Sequence, residues 1–504
     1  MKIDISRQVI LRLSCLLLGV APLGGQAATS SRPNVIMFVV DDMNDWVSPL
    51  GYAQVKTPHL DRLAQQGVVF KNAHAPSVYC APSRTAIFSG LSPATTGCYG
   101  IEVFYHDYPE IVSLQMAFQA GGYRTYGAGK LFHHRSGYVD LRGWDQYFTR
   151  SQEVRDLGYE MNSYYMADAP LPEPFPYSPY YRGTNRDGNA ALHLEWGPIA
   201  NEREEDMVDT IRTNWICDQL ATAQDEPFFM AVGMYTPHYP NYAPQKYFDL
   251  YDRDALELPP YRADDLDDLP PALQKQMNNR AGQHEELKQL GALQDALHGY
   301  LASISFADAM LGRVMAALES SPHRDNTIVI FWSDQGFHHG EKMHWGKHTL
   351  WQRTTRVPFI WAGPGIPAGG SIDATVSLID MYPTLAELCA LPTDRTFDGV
   401  SLATTLQDPP RATDRNVVIP HADRGSYAVV NRNWRYIHYH DGTEELYNVV
   451  EDPNEWFNLA GRDEFAPIIR ELKQSAPDHF APEATSPKAL RLVVEGDNFH
   501  WEKK

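Results

Sequence analysis

Three apolar runs along the chain each lead into polar residues. They are residues 34–40 before Asp41 and Asp42, residues 227–234 before His238, and residues 327–333 before Asp334 and Gln335. Continuous apolar runs of this length are typical of strands buried on both faces of a parallel sheet. Because ligands gather at the carboxyl ends of such strands, the polar side chains are predicted to meet at one edge of the sheet.

Helical patterns lie between these runs. Thr57 is the predicted N-cap of a helix with Pro58 in its first turn and Gly67 at its end. A long helical pattern covers about residues 283–318, and the acidic, proline-containing residues 263–280 are predicted to form a surface excursion. Strands that alternate with helices predict an α/β fold, with one large, mostly parallel sheet sandwiched by helices.

The pattern changes near the end of the chain. Residues 426–430 and 434–439 are predicted strands, with turn residues between them, and a helical pattern follows near residues 466–475. These elements predict a smaller C-terminal antiparallel sheet plus a helix. We therefore expect a catalytic α/β domain over residues 29–395 and an α+β subdomain over residues 396–504.

The first 28 residues have the order of a signal peptide. Basic residues up to Arg12 precede an apolar run over residues 13–23, which is too short to span a bilayer, and small residues follow over 24–30. We place cleavage near Ala27 or Ala28. The pattern predicts a periplasmic or secreted protein, and no later segment is predicted to be a stable membrane span.

Composition and charge limit the classes of molecule that the protein is expected to bind. Hydrophobic residues make up 43% of the chain and charged residues 21%, which is typical of a globular protein. The formal net charge of −20 argues against nucleic acid as a partner. An anionic substrate would therefore need a local cluster of Lys, Arg and His.

The carboxylates at the strand ends are candidate metal ligands. Asp41, Asp42 and Asp334 offer three carboxylates and Gln335 an amide oxygen, a set that suits Ca²⁺ or Mg²⁺ better than zinc or copper. Taken alone, each pair is also compatible with a turn or a helix cap. Two such pairs after matching apolar runs favour the metal site.

Basic and imidazole side chains cluster in three segments that follow predicted strands. They are Lys130, His133, His134 and Arg135 in residues 127–135, His238 in residues 236–238, and Lys347 in residues 335–348. A single histidine is more often structural than catalytic. Together, these groups could line one anion pocket, stabilise a charged transition state and protonate a leaving oxygen.

Cys80 is the remaining candidate. It is one of four cysteines after the predicted leader, too few for a disulfide scaffold and without the CxxC spacing of a thiolate zinc site. A thiol nucleophile would want a base and an orienting carboxylate. It pairs poorly with a hard cation, which prefers oxygen to sulfur.

The segment Cys80-Ala-Pro-Ser-Arg84, followed by Ser89-Gly90, resembles the C-x-P-S-R…T-G motif of the type I sulfatases in the alkaline phosphatase superfamily. PNVIMFVVDDM, GKLFHH and SDQGFHHGEKMHWGK are similar to further segments of that family, and YLASISFADAMLGRVMAALE is most similar to its iduronate-2-sulfatase-like branch. Ser89 replaces the family threonine, and Gln335 stands where that branch often has histidine.

The resemblance implies that Cys80 is converted to Cα-formylglycine by a formylglycine-generating or sulfatase-maturing enzyme. The hydrated aldehyde would be an oxygen nucleophile and a metal ligand, which removes the conflict between thiol and hard cation. The implied ligands of a Ca²⁺ ion, favoured over Mg²⁺, are Asp41, Asp42, Asp334, Gln335 and position 80. The implied catalytic roles are orientation of the diol by Arg84, sulfate binding by Lys130 and Lys347, protonation of the leaving alcohol by His238, and proton removal from the diol by His133.

The resemblance also implies a sulfated carbohydrate as substrate. The candidate sugar-contacting residues, all near the motifs above, are Tyr105, His106, His134, Arg135 and Tyr239. Tyr105 and His106 lie in the aromatic-rich segment 97–108, which could equally well be a packed loop without a role in sugar binding. Uronate, rhamnose, galactose and hexosamine sulfates all fit this pattern. The alternatives are a phosphatase or phosphonate monoester hydrolase of the same superfamily, and a non-catalytic glycan-binding homologue with an unmodified Cys80.

Overall fold

A computed structural model describes residues 32–102, 104–133, 140–148, 194–222, 225–485, 490–495 and 498–503. The predicted leader and the candidate residues His134 and Arg135 lie outside the described residues. The strands are β1 (Asn34–Val40), β2 (Gly67–His74), β3 (Arg124–Gly129), β4 (Gln146–Phe148), β5 (Trp196–Ile199), β6 (Phe228–Gly233), β7 (Asn241–Pro244), β8 (Thr327–Ser333), β9 (His338–His339), β10 (Trp345–Gly346), β11 (Phe359–Ala362), β12 (Gly370–Ser377), β13 (Val417–Pro420), β14 (Tyr427–Val430), β15 (Trp434–His438), β16 (Glu444–Asn448), β17 (Leu490–Glu495) and β18 (Asn498–Lys503). The helices are α1 (Pro58–Gln66), α2 (Cys80–Ser89), α3 (Pro93–Thr96), α4 (Phe104–Asp107), α5 (Leu114–Ala120), α6 (Val208–Ala221), α7 (Gln245–Phe248), α8 (Pro271–Gln289), α9 (Leu293–Glu319), α10 (Gln352–Thr355), α11 (Met381–Leu388), α12 (Ala403–Gln407) and α13 (Ala466–Lys473).

The large sheet has eight strands in the order β12-β2-β11-β8-β1-β6-β3-β4. Strand β11 runs antiparallel to both β2 and β8, and the other neighbouring strands are parallel. The three apolar runs of the sequence are β1, β6 and β8, which lie side by side in the centre. The predicted α/β fold with a mostly parallel sheet is confirmed.

Helices cover both faces of this sheet. Along β1, Ile36 and Phe38 enter one hydrophobic cluster, and Val35 and Met37 enter another on the opposite face. Side chains of α1, α6 and α9 fill the first cluster, and those of α2, α5 and α11 fill the second. Burial on both faces explains why the central strands are apolar throughout and do not alternate.

The long helical pattern is two helices. Helix α8 ends at Gln289 and α9 begins at Leu293, so the predicted single helix over residues 283–318 is wrong. Gly291 between them has a φ of 65°, in the left-handed region that favours glycine and ends a helix. Helix α8 already begins at Pro271, so the second half of the predicted surface excursion is helical.

Helix α9 is a core helix. By length and composition alone, this helix could cross a membrane. From the sequence, no membrane span is predicted after the leader. In its most apolar stretch, 72% of the residues are buried inside the protein. Asp308 on this helix accepts hydrogen bonds from the backbone N–H groups of His59 and Leu60 at 3.1 and 2.7 Å. It thus caps α1, while Thr57 holds the N-cap position without a side-chain bond.

The C-terminal part forms the predicted small antiparallel sheet. Strands β13, β14, β15 and β16 pair in sequence order, all antiparallel. Ile469 and Leu472 of α13 pack against Tyr427, Val429 and Tyr436 of this sheet. This part of the fold prediction is confirmed as well.

Several histidines are buried near the large sheet. Burial lowers the pKa of His344 to about 4 and holds the pKa values of His74, His338 and His339 well below the ordinary value. These rings are therefore neutral in the folded protein at neutral pH. The His344 ring makes a 3.1 Å hydrogen bond from Nε2 to the Lys347 carbonyl oxygen.

We expect the protein to lose stability as the pH falls from 6.5 towards 4. The unfolded chain protonates His344 near pH 6.5, whereas the folded chain does so only near pH 4, so the unfolded state binds more protons in this window. For His344 the loss reaches about 3 kcal/mol below pH 4. The free energy of urea unfolding at a series of pH values measures it.

His344→Gln keeps a side-chain donor for the Lys347 carbonyl and should make the pH dependence shallower. His440→Gln, at an exposed position, is the control. Identical slopes for His344→Gln and the parent would contradict the prediction.

Candidate active site

The carboxyl ends of four adjacent parallel strands form one side of the candidate site. Strands β8, β1, β6 and β3 are neighbours, so their ends lie at the same edge of the sheet. Strand β1 ends before Asp41 and Asp42, β8 before Asp334 and Gln335, β6 before the loop that carries His238, and β3 before Lys130. The predicted convergence of these residues is therefore present in the structure.

The backbone after β1 is shaped for this arrangement. Asp42 has a φ of 61°, and its N–H donates to Asp334 Oδ1 at 3.2 Å. The Tyr300 hydroxyl, from core helix α9, donates to the Asp42 carbonyl oxygen at 2.9 Å. A non-glycine residue in the left-handed region is strained, and these two bonds hold it there. The turn aims the Asp42 carboxylate into the site.

Arg84 ties helix α2 to two of the strand ends. Its Nε donates to Asp334 Oδ2 at 2.7 Å and its Nη2 to Asp41 Oδ1 at 3.3 Å, and its Nη1 donates to the Lys130 carbonyl oxygen. The Ser83 hydroxyl donates to the Asp334 carbonyl oxygen at 2.6 Å. Both side chains are fully buried. These bonds fix the position of the first turn of α2, where Cys80 lies.

Two lysines approach the same carboxylates. Lys130 forms an ion pair with Asp41, and Lys347 Nζ lies 2.6 Å from Asp42 Oδ1. Lys347 Nζ is also 3.9 Å from Cys80 Sγ. The two ammonium groups therefore compensate part of the buried negative charge, and that of Lys347 lies beside the cysteine.

His133 lies on the other side of Cys80. The distance from His133 Nδ1 to Cys80 Sγ is 3.1 Å. Burial, followed by the charges of Lys130 and Lys347, holds the pKa of His133 well below its ordinary value. The imidazole is therefore neutral at neutral pH and can accept a proton.

His238 presents Nε2 to the site. Its Nδ1 lies 2.5 Å from the Tyr239 carbonyl oxygen, which can only accept, so Nδ1 carries a proton. Nε2 lies 3.6 Å from Asp42 Oδ2. The buried Asp209 carboxylate accepts from the N–H groups of Tyr235 and Thr236, both at 2.9 Å, and so fixes the loop that carries His238.

The three carboxylates are buried together, and this shifts their pKa values in different directions. Burial raises the pKa of Asp42 to about 6 and that of Asp334 well above its ordinary value. Burial acts in the same direction on Asp41, but the charges of Lys130 and His238 outweigh it and hold the Asp41 pKa well below its ordinary value. The cluster therefore has room for more positive charge.

The donor set fits a metal ion. Asp42 Oδ2 and Gln335 Oε1 are buried, and neither has a hydrogen-bond partner among the described residues. Two groups of side chains bring one potential ligand atom from each member within 4.8 Å of one another, namely Asp41, Asp42 and His238, and Asp41, Cys80 and Asp334. Oxygen atoms that are buried without donors are what a bound cation would satisfy.

The described candidate sugar-contacting residues, Tyr105, His106 and Tyr239, have different surroundings in the structure. Tyr239 is only 1% exposed and packs against Phe337 and His339, so it lies in the core and not on a pocket wall. Tyr239 is predicted from the sequence to contact the sugar because it is aromatic and follows His238, but packing in the core accounts for an aromatic residue at this position. His106 Nδ1 lies 3.6 Å from its neighbour Asp107. Tyr105 lines a small cavity between α2 and the loop after it, together with Glu102, Arg84 and His133.

Three supporting residues were not found from the sequence. Ser83 anchors α2, Tyr300 holds the Asp42 turn, and Asp209 holds the His238 loop. Ser83 lies inside the Cys80 motif, which could have drawn attention to it. Tyr300 and Asp209 lie in helices, and nothing in their sequence neighbourhoods separates them from other helical residues.

The cysteines of the described residues are free thiols. Cys80, Cys98 and Cys389 are buried, and Cys217 is partly buried. Burial raises the pKa of Cys98 to about 12 and that of Cys389 to about 11, as is typical of inert structural thiols. Besides Cys80, the described residues therefore contain two further buried free thiols, Cys98 and Cys389.

Comparison with known proteins gives matches over most of the chain. The sulfatase family profile matches residues 33–390. A second profile, described as the C-terminal part of N-sulphoglucosamine sulphohydrolase, matches residues 340–479. The first match contains every residue placed at the site above.

Curated relatives are similar over about three quarters or more of their own length. A sulfatase from Formosa agariphila is 36% identical over 88% of this chain and 86% of its own, and an ulvan-active sulfatase from the same organism is 28% identical over 88% and 80%. Iduronate 2-sulfatase from Mus musculus is 27% identical over 77% and 74%. Among solved structures, a phosphonate monoester hydrolase from Silicibacter pomeroyi aligns with a TM-score of 0.70 at 19% identity, over 94% of this chain and 99% of its own. At that identity the likeness concerns the fold.

We expect a divalent cation to stabilise the folded protein, because the carboxylate cluster exists only when the strand ends are assembled. A cation at 100 times its Kd should add about 3 kcal/mol to the free energy of unfolding. Thermal unfolding of protein treated with EDTA, with and without Ca²⁺, Mg²⁺ or Zn²⁺, measures the effect.

Asp42→Asn and Asp334→Asn should each weaken the response to the cation. Asp373→Asn, on the exposed side of edge strand β12, removes a carboxylate elsewhere and should leave the response unchanged. A full response in Asp42→Asn would place the cation at another site.

Proposed function

The chain belongs to the sulfatase family and is a sulfuric ester hydrolase, and on that premise we propose which ester it cleaves and how. We propose that it is exported and removes sulfate from the sugars of a sulfated polysaccharide or of its oligosaccharides. The ulvan-active sulfatase among the relatives supports a polysaccharide substrate. The leader pattern of the sequence supports export.

The observation that carries the mechanism is the position of Cys80. It is the first residue of α2, between His133 and Lys347 and beside a buried carboxylate cluster. We propose that a maturing enzyme converts it to Cα-formylglycine, because oxygen suits this environment and a thiol does not. When present, the hydrated aldehyde supplies an oxygen nucleophile at position 80.

The same residues would hold the cation. Asp41, Asp42 and Asp334 contribute carboxylate oxygens and Gln335 its free Oε1, an all-oxygen set that favours Ca²⁺. A cation held there would supply positive charge that makes the nucleophilic oxygen more acidic and polarises sulfate oxygens. Lys130 and Lys347 pair with Asp41 and Asp42 in the structure. If a cation neutralised these carboxylates, both ammonium groups would be available to bind sulfate oxygens.

The two histidines take opposite roles. His133 is neutral and adjacent to position 80, so it accepts a proton there. His238 carries Nε2 at the site on a loop fixed by Asp209, and a proton on that nitrogen can be donated to the departing alcohol. Arg84 stays paired with Asp41 and Asp334 and holds position 80 in place.

We expect sulfate release from defined sulfated oligosaccharides by natively matured protein. Peptide mass spectrometry across Cys80 should show the aldehyde in active preparations. Cys80→Ala should abolish turnover, and Cys98→Ala, which removes another buried thiol, is the matched control.

Aryl phosphate and phosphonate esters are the discriminating substrates. Faster turnover of either than of any sulfate ester would instead support a phosphatase or phosphonate hydrolase. A fully retained thiol, with sugar binding and no turnover, would support a glycan-binding protein.

The proposed acid role of His238 gives a separate prediction. His238→Ala should slow hydrolysis of a sugar sulfate by about 100-fold or more, because the alkoxide leaves poorly without a proton. Hydrolysis of 4-nitrophenyl sulfate should fall much less, because nitrophenolate leaves unprotonated. The ratio of kcat values on the two substrates measures the role.

His479→Ala, at an exposed position outside the site, is the control for that ratio. An equal loss on both substrates would show that His238 orients groups and does not donate the proton.

A further inference from the structure

Arg280 is a charged side chain that the site described above does not use. It lies on α8, partly buried, and has no ion pair or hydrogen bond among the described residues. Burial lowers its pKa, because removal of a guanidinium from water disfavours the charged form, and the charge of Asp423 offsets only part of that shift. An arginine in this state is available to bind an anion.

Helix α8 directs Arg280 towards the loop that carries Lys347. Arg280 and His284 are four residues apart, so they share one face of the helix. His284 Nδ1 accepts a 3.2 Å hydrogen bond from Trp345 Nε1, two residues before Lys347. Met277 and Ala281 on the same helix pack in one cluster with Tyr79 and Cys80. The helix therefore lies directly beside the candidate active site.

His348 provides a polar ring next to Lys347. It has a φ of 67°, in the left-handed region that non-glycine residues rarely adopt, and its side chain is exposed. The ring lies on that of Tyr79, with centroids 4.5 Å apart, and Tyr79 directly precedes Cys80. Backbone strain of this kind is concentrated at functional sites.

His421 reaches the same place from the C-terminal sheet. Its Nδ1 accepts from the Asp423 N–H at 3.0 Å, so Nε2 carries the proton and donates to the His348 carbonyl oxygen at 3.2 Å. His421, Arg280 and His348 thus come from three separate parts of the chain. His348 links them, because its carbonyl oxygen accepts from His421 and the charge of Arg280 acts on its ring.

The electrostatics agree with this placement. Although part of its ring is open to solvent, burial, followed by the charge of Lys347, lowers the pKa of His348, and Arg280 adds to the effect. The ring is therefore neutral and can donate a hydrogen bond. Asp423 is an acid beside this group, since its charge acts on Arg280 and its Oδ2 lies 3.4 Å from His421 Nδ1.

We propose that Arg280, His348 and His421 form a second anion subsite next to Lys347. It would take a carboxylate or a second sulfate on the sugar whose sulfate ester is cleaved, with Arg280 as the charged partner and the two imidazoles as polar walls. The inference rests on the proposed function, since it assigns the substrate class of the same site. It makes Arg280 a specificity-determining residue.

The test compares substrates that differ in the second anion. The parent and Arg280→Gln are assayed on 4-nitrophenyl sulfate, on an oligosaccharide with one sulfate, on one with a sulfate and a uronate carboxylate, and on one with two sulfates. We expect Arg280→Gln to raise KM about tenfold or more only for a doubly anionic sugar, with kcat little changed. The doubly anionic oligosaccharide with the larger rise in KM shows whether the subsite takes a carboxylate or a second sulfate.

Matched variants separate recognition from structure. Lys275→Gln removes the same charge from the exposed side of the same helix and should have no effect. Arg280→Lys should restore part of the affinity. Asp423→Asn should leave KM unchanged or lower it, because it removes a competing anion. If the only role of Arg280 were a structural ion pair with Asp423, Arg280→Gln and Asp423→Asn would lower the unfolding temperature by the same amount. That result would contradict a role in recognition.

A binding experiment keeps the two proposals distinct. In Cys80→Ala protein, calorimetry with the doubly anionic oligosaccharide should show weaker binding after Arg280→Gln. If the matured parent protein released no sulfate while Cys80→Ala protein still showed this Arg280-dependent binding, the proposed function would be overturned and the subsite supported. Equal losses on all substrates, or no loss on any, would overturn the subsite.

Discussion

The structure depends on the burial of three carboxylates at one edge of the sheet. Like charges in a medium of low dielectric repel strongly, and each would prefer to be neutral unless cations lie within contact distance. Arg84 contacts two of them and brings helix α2 with it, while Lys130 and Lys347 each pair with one. The position of Cys80, the orientation of the strand ends and the fit to a metal ion all follow from this single requirement.

Much of this arrangement could be predicted from the sequence because it follows from local rules. Apolar runs that end in Asp41–Asp42 and Asp334–Gln335 define central strands, and parallel neighbours place their ends together. The Cys80 motif located a residue that lies at the start of α2, beside these carboxylates. The break between α8 and α9 was missed because a helical pattern in the side chains continues across Gly291, where only the backbone changes.

The rest depends on contacts between distant parts of the chain. Tyr300 holds the Asp42 turn across 258 residues of sequence, and Asp308 caps α1 across about as many. Arg280 is one of several charged residues on a polar helix, and its partial burial appears only when α8 is packed against the Lys347 loop. Tyr239 shows the converse, since this aromatic residue next to His238 is buried in the core.

The burial of Cys80 also imposes an order of events during biosynthesis. In the folded protein its side chain is 2% exposed, and it is enclosed by a cluster that joins helix α2 to α8 and to the C-terminal sheet. No enzyme could reach the sulfur once those parts have assembled. The maturation proposed for Cys80 would therefore have to compete in time with folding, and a chain that folds before it is modified would keep the thiol inside a native structure.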